Sequence, residues 1–215
     1  MMIISQIPYY WLCMVQEKDY KMEIKIKRKT DWNEVLDSCR WTVNKLSIDK
    51  EPSDKFKYSI LKAEHSPIRE LLFVVEIYDI PTWVSQHIAR HDAFSGHNQR
   101  DGAKDTNFVA TQRSDRTGRD RNKLPQDTPC CHRIFLSAQD FITISRKRLC
   151  NRASKGTRDV WRAIIDKLAE TEPIIAHFCV KECVYRGGIC PEEDSCKYNQ
   201  TPDFSNEFQK YQSYE

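Results

Sequence analysis

The sequence predicts an α/β fold of the α+β type, in which a sheet is flanked by helices. Apolar and polar residues alternate from Met22 to Lys27, which is typical of a half-buried strand. A continuous apolar run from Leu71 to Ile77, interrupted only by Glu76, predicts a central strand. Apolar residues recur at helical spacing between and after these segments. The 215 residues suffice for one domain, or for one domain with a small appendage.

Two helices are expected between the first strand and the central strand. Thr30 and Asp31 offer an N-cap for the first helix, which is expected to run to about Leu46. Its apolar positions are Trp32, Val35, Leu36, Cys39 and Val43. Ser53 can cap a shorter second helix, whose apolar positions are Phe56, Ile60 and Leu61. The segment His65-Ser66-Pro67 breaks this second helix.

A third short helix is expected after the central strand, because Pro81 stands where helices often begin. Its buried face consists of Trp83, Val84, His87 and Ile88, and it delivers Arg90 and His91 at its end. Residues 92–128 are polar and contain several glycines. A segment of this length within a compact domain is typical of a functional or disordered loop.

The pattern from about Arg133 to Leu168 predicts helix in two pieces, ended by Pro173. Phe141, Ile144 and Arg148 share one face of the first piece. The apolar stripe of the second piece consists of Val160, Trp161, Ile164, Ile165 and Leu168. The remaining residues, 171–215, are expected to form a Cys-rich tail packed on the domain.

The N-terminal residues 1–21 are interpreted as an extension, and the main domain is expected to span 22–170. Met1 to Val15 is apolar and aromatic but has neither a basic leader nor a small-residue cleavage site, so a secretory signal is not expected. Met22 opens a good strand and is a candidate native start. An extra edge strand from Ile3 to Leu12 is the alternative.

The charge of the chain is small overall but clustered locally. A formal net charge of +3 argues against a dedicated nucleic-acid-binding protein. Between Arg113 and Lys123, however, five of eleven residues are Lys or Arg, and between Arg146 and Arg152 four of seven are. Such clusters suit a small ligand that carries phosphate as well as a polynucleotide. No apolar run approaches the length of about 20 residues that a membrane-spanning helix needs, so no membrane association is expected.

Two of the basic segments could form anion sites. Ser114 and Arg116 are two residues apart, so in an extended segment their side chains point the same way and form a phosphate clamp. Arg148 and Arg152 are neighbours at i, i+4 on a helix, an arrangement that suits an anion bound between them. A solvated basic loop and a wet helix surface are the respective alternatives. His65 could serve as a structural cap or could face a cofactor.

Taken together and in order, these residues resemble the flavin-dependent thymidylate synthases. The signature of that family reads Arg-His-Arg-x-x-Ser-x-Asn-Glu-x-Ser-x-Arg, with Gln or Ser at some positions in some members. Arg90-His91 is similar to its opening, and the segment from Thr111 to Arg116 is similar to its close. The stretch from His65-Ser66-Pro67 to Val84-Ser85-Gln86-His87 resembles the lead-in. Arg148-Leu149-Cys150-Asn151-Arg152-Ala153 resembles a second motif of the family.

The chain departs from the family pattern in three places. Asp92 stands where the third signature residue is Arg, and an insertion separates Arg90-His91 from Thr111-Gln112. A register that runs on from Ser95 into residues 97–99 is the alternative, but only the split register supplies both a Ser and an Arg at the end. Near the flavin, where the family has Asn-Ala-Arg and a later Asn, this chain has Ser137-Ala138-Gln139 and Thr143.

The resemblance implies an activity and a set of site residues. The family makes dTMP from dUMP with FAD, methylene-tetrahydrofolate and reduced nicotinamide (NADPH), and the flavin handles hydride and carbon transfer. By position in the motifs, Arg148 and Ser114 are the candidate catalytic residues. The candidate substrate-binding residues are His87, Arg90, Gln112, Ser114, Arg116 and Arg148. The candidate cofactor-binding residues are His65, His91, Gln139, Thr143 and Arg152.

The resemblance also implies an antiparallel-containing sheet and a homotetramer whose sites are shared between subunits. Residues 92–110 would then cover the folate or nicotinamide side. No nucleic-acid partner is expected, and the cytoplasm of a bacterium or of a virus-infected cell is the expected location. Another 5-substituted pyrimidine nucleotide is an alternative product. A basic nucleic-acid-binding module, and an interaction protein with a zinc-binding tail, are alternatives of other classes.

The nine cysteines are scattered and odd in number, so reduced thiols are expected rather than a disulfide framework. Cys179, Cys183, Cys190 and Cys196 could nevertheless hold zinc, with Cys130, Cys131 and His132 as further candidates. Their spacings are not those of a paired Cys-x2-Cys knuckle. Buried free thiols are therefore preferred, with no metal required.

Overall fold

The computed structural model describes residues 22–90, 107–110 and 120–213. Four antiparallel strands form one sheet in the order β1-β2-β4-β3. Their bounds are β1 (Glu23–Arg28), β2 (Leu72–Pro81), β3 (Asn107–Ala110) and β4 (Pro129–Ser137). The predicted α+β class and the antiparallel sheet that the resemblance implies are therefore confirmed.

The helices pack on the sheet and on one another. They are α1 (Trp32–Trp41), α2 (Asp54–Lys62), α3 (Thr82–Ala89), α4 (Ala138–Arg148), α5 (Lys155–Ala169), α6 (Pro173–Phe178), α7 (Glu182–Tyr185) and α8 (Pro202–Gln212). Short 3-10 turns span Ser66–Glu70, Arg121–Lys123 and Tyr198–Gln200. Within the described ranges, no helix has the length and apolar character needed to cross a membrane.

β2 lies at the centre of the sheet, as its apolar run predicts. It pairs with β1 from Glu23↔Tyr78 to Arg28↔Phe73, and with β4 on its other side. Phe73, Val75 and Ile77 are almost completely buried against the helices. The register with β4 shifts between Ile77 and Ile80, where Asp79 has a φ of 58°. This irregularity redirects the chain into α3.

The strand β4 corrects the prediction that helix begins at about Arg133. Alternate residues of β4 (His132, Ile134 and Leu136) are buried, whereas Arg133 is exposed, so the segment follows the two-residue period of a strand. The helix begins only at Ala138. A capping box marks its start: the Ser137 hydroxyl accepts a hydrogen bond from the Asp140 N–H, and the Asp140 carboxylate accepts one from the Ser137 N–H.

Two further boundaries differ from the sequence-based expectation. α1 ends at Trp41 rather than near Leu46, because the residues that pack against the core (Trp32, Val35 and the partly buried Cys39) all precede Trp41, while Val43 and Leu46 are exposed. Pro173 does not directly end α5, which stops at Ala169. Instead it is the first residue of α6, where its missing N–H costs no helical hydrogen bond.

The C-terminal segment packs into the same core as the sheet. Ile174, Ile175 and Phe178 of α6 belong to the main hydrophobic cluster. Just before α6, the buried Glu172 accepts hydrogen bonds from Arg28 (2.7 Å) and from the indole of Trp32 (3.0 Å). A smaller cluster beneath α7 and α8 contains Val180, Cys183, Val184 and Phe204.

Candidate functional site

The ends of α3 and α4 meet on one side of the sheet. The start of α3 is fixed by the chain that precedes β4, because the Thr82 N–H and hydroxyl both donate to the Thr128 carbonyl (3.1 and 2.8 Å). Val84, Ser85 and Ile88 are buried along α3. This anchoring leaves His87 half-buried and Arg90 exposed at the last turn of the helix.

Arg148 is the last residue of α4 and lies against the end of α3. Its Nη2 donates a 2.5 Å hydrogen bond to the backbone carbonyl of His87. α4 is held in place at Ser145, whose hydroxyl accepts a 2.9 Å hydrogen bond from the buried Trp161 indole. The Nε of Arg148 is buried, and no described residue accepts a hydrogen bond from it. The hydrogen bond to His87 therefore orients the Arg148 guanidinium, and its other N–H groups remain available to donate to a ligand.

The start of α5 forms a third wall of this region. His87 Nδ1 lies 3.0 Å from the hydroxyl of Thr157, which in turn lies 2.8 Å from the hydroxyl of Ser154. Gly156 approaches α3 so closely that a Cβ there would stand 2.7 Å from the Trp83 ring. No sequence motif pointed to Gly156 or Thr157, because their importance follows only from the packing of α5 against α3.

The charges at this junction are not balanced. Burial, followed by the nearby Arg90, lowers the pKa of Arg148. Burial likewise lowers the pKa of His87, and the cations Arg148 and Arg90 lower it further. Among the residues that the structure describes, no carboxylate forms a salt bridge with Arg90 or Arg148. An anion bound here would offset this repulsion.

The fold is similar to that of several solved enzymes. A flavin-dependent thymidylate synthase, ThyX from Helicobacter pylori in complex with FAD and dUMP, aligns with a TM-score of 0.54 and 15% identity. The alignment covers 74% of this chain and 100% of that one. A second structure of that enzyme with FAD and dUMP gives 0.52 and 14%, covering 75% and 100%. The UMP/dUMP methylase PolB from Streptomyces cacaoi, bound with 5-Br dUMP, gives 0.56 and 10%, covering 74% and 94%.

The chain has the flavin-dependent thymidylate synthase fold. No model of a protein family matches the sequence, and no curated protein matches it. At identities of 10–15%, the likeness establishes the architecture of the chain.

The candidate flavin residues of this fold lie elsewhere on the protomer. Gln139 donates hydrogen bonds to Glu64 (2.8 Å) and to the hydroxyl of Thr143 (3.2 Å). Arg146 also hydrogen-bonds Glu64. Burial alone would raise the pKa of Glu64, but these hydrogen bonds lower it. His65 follows directly in the chain and is exposed. His65 and Thr143 are exposed, and the Thr143 hydroxyl donates a 2.9 Å hydrogen bond to the backbone carbonyl of Gln139. The Gln139 amide oxygen, the Thr143 hydroxyl oxygen and the His65 ring are the polar groups that this surface presents.

The two candidate surfaces lie on opposite sides of α4. At about 100° per residue, the nine-residue separation from Gln139 to Arg148 turns the side chains roughly 180° apart. Arg152 follows α4 and is exposed, and its Nη2 lies 3.8 Å from the Asp194 carboxylate. His91, Gln112, Ser114 and Arg116 lie outside the described residues, so their placement stays a prediction. The same holds for most of the 92–110 segment, of which the structure describes Asn107–Ala110 as β3.

Proposed function

We propose that this protein is an enzyme that modifies C5 of dUMP, and that its product is dTMP. The observation that carries the proposal is the unbalanced cationic junction. A half-buried Arg148 with an unpartnered Nε stands beside Arg90 and His87, and no described carboxylate neutralises them. These residues occupy the motif positions that the sequence assigns to nucleotide binding. The thymidylate synthase fold supports the proposal, because solved proteins with this fold contain dUMP or 5-Br dUMP.

The residues of the junction have distinct functions in this proposal. Arg90 is exposed and can pair with the phosphate through its planar fork. Arg148 is held by the His87 carbonyl, so its remaining N–H groups can face a uracil carbonyl. Negative charge grows on that carbonyl as C5 becomes nucleophilic, and a fixed guanidinium stabilises it. Ser114, Gln112 and Arg116 would complete the phosphate and pyrimidine contacts.

FAD is the proposed cofactor, with NADPH and methylene-tetrahydrofolate as co-substrates. His65, Gln139 and Thr143 would hold it, joined by His91 and Arg152. When bound, the flavin supplies hydride and carbon transfer, which no side chain can provide. Because Gln139 and Arg148 project from opposite sides of α4, one protomer would contribute to two different sites. This arrangement supports a homotetramer in which each site contains residues of more than one subunit.

The first test is nucleotide binding by isothermal titration calorimetry. Arg148→Ala should weaken dUMP binding by about 10- to 100-fold, because charge-assisted hydrogen bonds contribute about 1.5–3 kcal/mol. Arg148→Lys should recover only part of the loss, since a lysine lacks the planar fork. Arg162→Ala, an exposed arginine on α5, is the matched control and should bind like wild type. Deoxyuridine should bind weakly to all variants, and equal binding of dUMP to Arg148→Ala would contradict the proposal.

The second test is the reaction itself. Purified protein should show a flavin absorption spectrum, and it should release tritium from C5-labelled dUMP when the reductant and the folate are added. The mass of the nucleotide product then identifies the transferred group. A product of another mass would establish a different 5-substituted pyrimidine nucleotide. Such a product is the second candidate, because Asp92 departs from the family signature and the fold is similar to that of a UMP/dUMP methylase.

The structure gives less support to a nucleic-acid-binding module. In the basic segment 146–152, Arg146 is paired with Glu64, Lys147 with Glu192 (3.4 Å) and Arg152 with Asp194 (3.8 Å). Only Arg148 is left without a described carboxylate partner. A single half-buried arginine suits a small anion, whereas a polynucleotide requires several exposed cations.

A further inference from the structure

Four cysteines from three separate segments line one small cavity behind α4. Cys150 follows α4, Cys183 belongs to α7, and Cys190 and Cys196 lie in the loop after α7. The cavity has a volume of ≈ 10 Å³, which is on the order of the space that one water-sized sphere occupies. We propose that these four thiols form a binding site for one structural zinc ion, which fixes the C-terminal segment to the end of α4.

The composition of the site suits zinc. Zn²⁺ in structural sites prefers four thiolate or imidazole ligands in a tetrahedron, and the four free thiols of this cavity are such a set. The cysteines that line the cavity differ in one member from the zinc ligands proposed from the sequence, because Cys150 takes the place of Cys179. Cys179 points into the core, where its Sγ donates to the Ile175 carbonyl (3.3 Å). Zinc binding would release the four thiol protons to solvent and leave a site of charge −2.

The loop from Cys190 to Cys196 lacks the packing that would otherwise hold it. Its residues are exposed or half-exposed, and none belongs to a hydrophobic cluster. Positive φ at Gly187 (64°) and Gly188 (101°) reverses the chain after α7 and turns this loop back toward Cys150. Two exposed ion pairs, Lys147–Glu192 and Arg152–Asp194, join this loop to the end of α4 and the residues after it, and such exposed pairs contribute little stability. A metal is a common means of holding a segment that has no core of its own.

The thiols must move to reach the ion. Among the residues that the structure describes, no three Cys, His, Asp or Glu side chains already stand at metal-ligand spacing. In this proposal the exposed loop that carries Cys190 and Cys196 moves toward Cys183, which lies on α7, and toward Cys150, which follows α4. Closure would also restrain the segment two residues beyond Arg148.

The test is the metal content of the full-length protein, purified without chelator and without a metal-affinity step. Mass spectrometry of the metals should find about one zinc per chain, and Cys190→Ser/Cys196→Ser should lose it. Cys39→Ser is the matched control, because Cys39 lies on α1 away from the cavity, and it should keep the zinc. Circular dichroism and thermal unfolding check that the double variant folds, and we expect its Tm to fall.

A second measurement avoids the variants altogether. Wild-type protein stripped of metal should take up one equivalent of Co²⁺ and show thiolate-to-cobalt charge-transfer absorption, which zinc should then displace. Two results would overturn the proposal: a metal-free protein that takes up no zinc from a buffered solution, or a disulfide between two of the four cysteines in peptide mass analysis. Neither result depends on dUMP or flavin, so failure here leaves the proposed enzymatic activity untouched.

Discussion

Arg148 is the last residue of α4, and one of its N–H groups donates a hydrogen bond to the His87 carbonyl. Its Nε is buried and has no hydrogen-bond acceptor among the described residues. An unpaired buried donor costs about 1–3 kcal/mol, so a bound anion would recover that free energy together with the repulsion from Arg90. The motif order identified Arg90 and Arg148 from the sequence. Their burial, and the backbone carbonyl that orients Arg148, depend on the meeting of α3 with α4.

His87 should report the bound anion through its pKa. In the free protein, burial and then the charges of Arg148 and Arg90 lower the pKa of His87 below its ordinary value of 6.5. Because the folded state disfavours the protonated ring, His87 contributes stability that is present above about pH 6.5 and is lost as the pH falls. A bound phosphate would reverse part of this effect, so we expect dUMP to raise the pKa of His87.

The measurement is a histidine NMR titration with and without dUMP, assigned with His87→Gln. His177 is the internal control. Burial lowers its pKa too, but it packs among Tyr58, Phe178 and Tyr211, so dUMP should leave its titration unchanged. A His87 resonance that does not respond to saturating dUMP would place the nucleotide elsewhere.

At the scale of single elements, α4 depends on its capping box to begin at the right residue. Ser137 and Asp140 are both buried, and each satisfies a backbone N–H of the other. Ser137→Ala should lower the free energy of unfolding by about 1–2 kcal/mol, because it also leaves the Asp140 carboxylate with fewer donors. The substitution should also weaken dUMP binding, since α4 carries Arg148 at its other end.

Ser53→Ala provides the matched control for this prediction. Ser53 caps α2 through one exposed hydrogen bond of 3.3 Å, so its loss should cost less, roughly 0.5 kcal/mol. Urea unfolding of both variants tests whether Ser137→Ala loses more unfolding free energy than Ser53→Ala. Titration with dUMP then tests whether nucleotide binding follows the same order. Equal losses in the two variants would show that the capping box contributes no more than an ordinary cap.

At the scale of the whole molecule, the opposite placement of Gln139 and Arg148 on α4 predicts sites shared between subunits. Light scattering should find a homotetramer. Arg148→Ala and Gln139→Ala/Thr143→Val should each be inactive alone. Mixed tetramers should regain about a quarter of wild-type activity, because one shared site in four would receive both intact halves. Refolded mixtures that stay inactive, while wild-type mixtures treated identically recover, would contradict shared sites.

The sequence by itself determined the elements whose burial is periodic, and the order of the motifs. β1, α2, α3 and α5 follow from local alternation or helical spacing, because each buries one face against a core. β2 follows from its continuous apolar run, which is typical of a central strand. Arg90 and Arg148 were identified by the resemblance of their segments to the ordered motifs of the flavin-dependent thymidylate synthases. Such features are readable because neighbouring residues encode them.

Only the tertiary structure decided the features that depend on distant partners. The segment from Pro129 to Ser137 is a strand because β2 and β3 pair with it on either side, which overrides a pattern that also suits a helix. The convergence of Cys150 with Cys183, Cys190 and Cys196 likewise requires the C-terminal segment to fold back on α4. The free energy of such long-range contacts is not contained in any local segment, so no local pattern could reveal them.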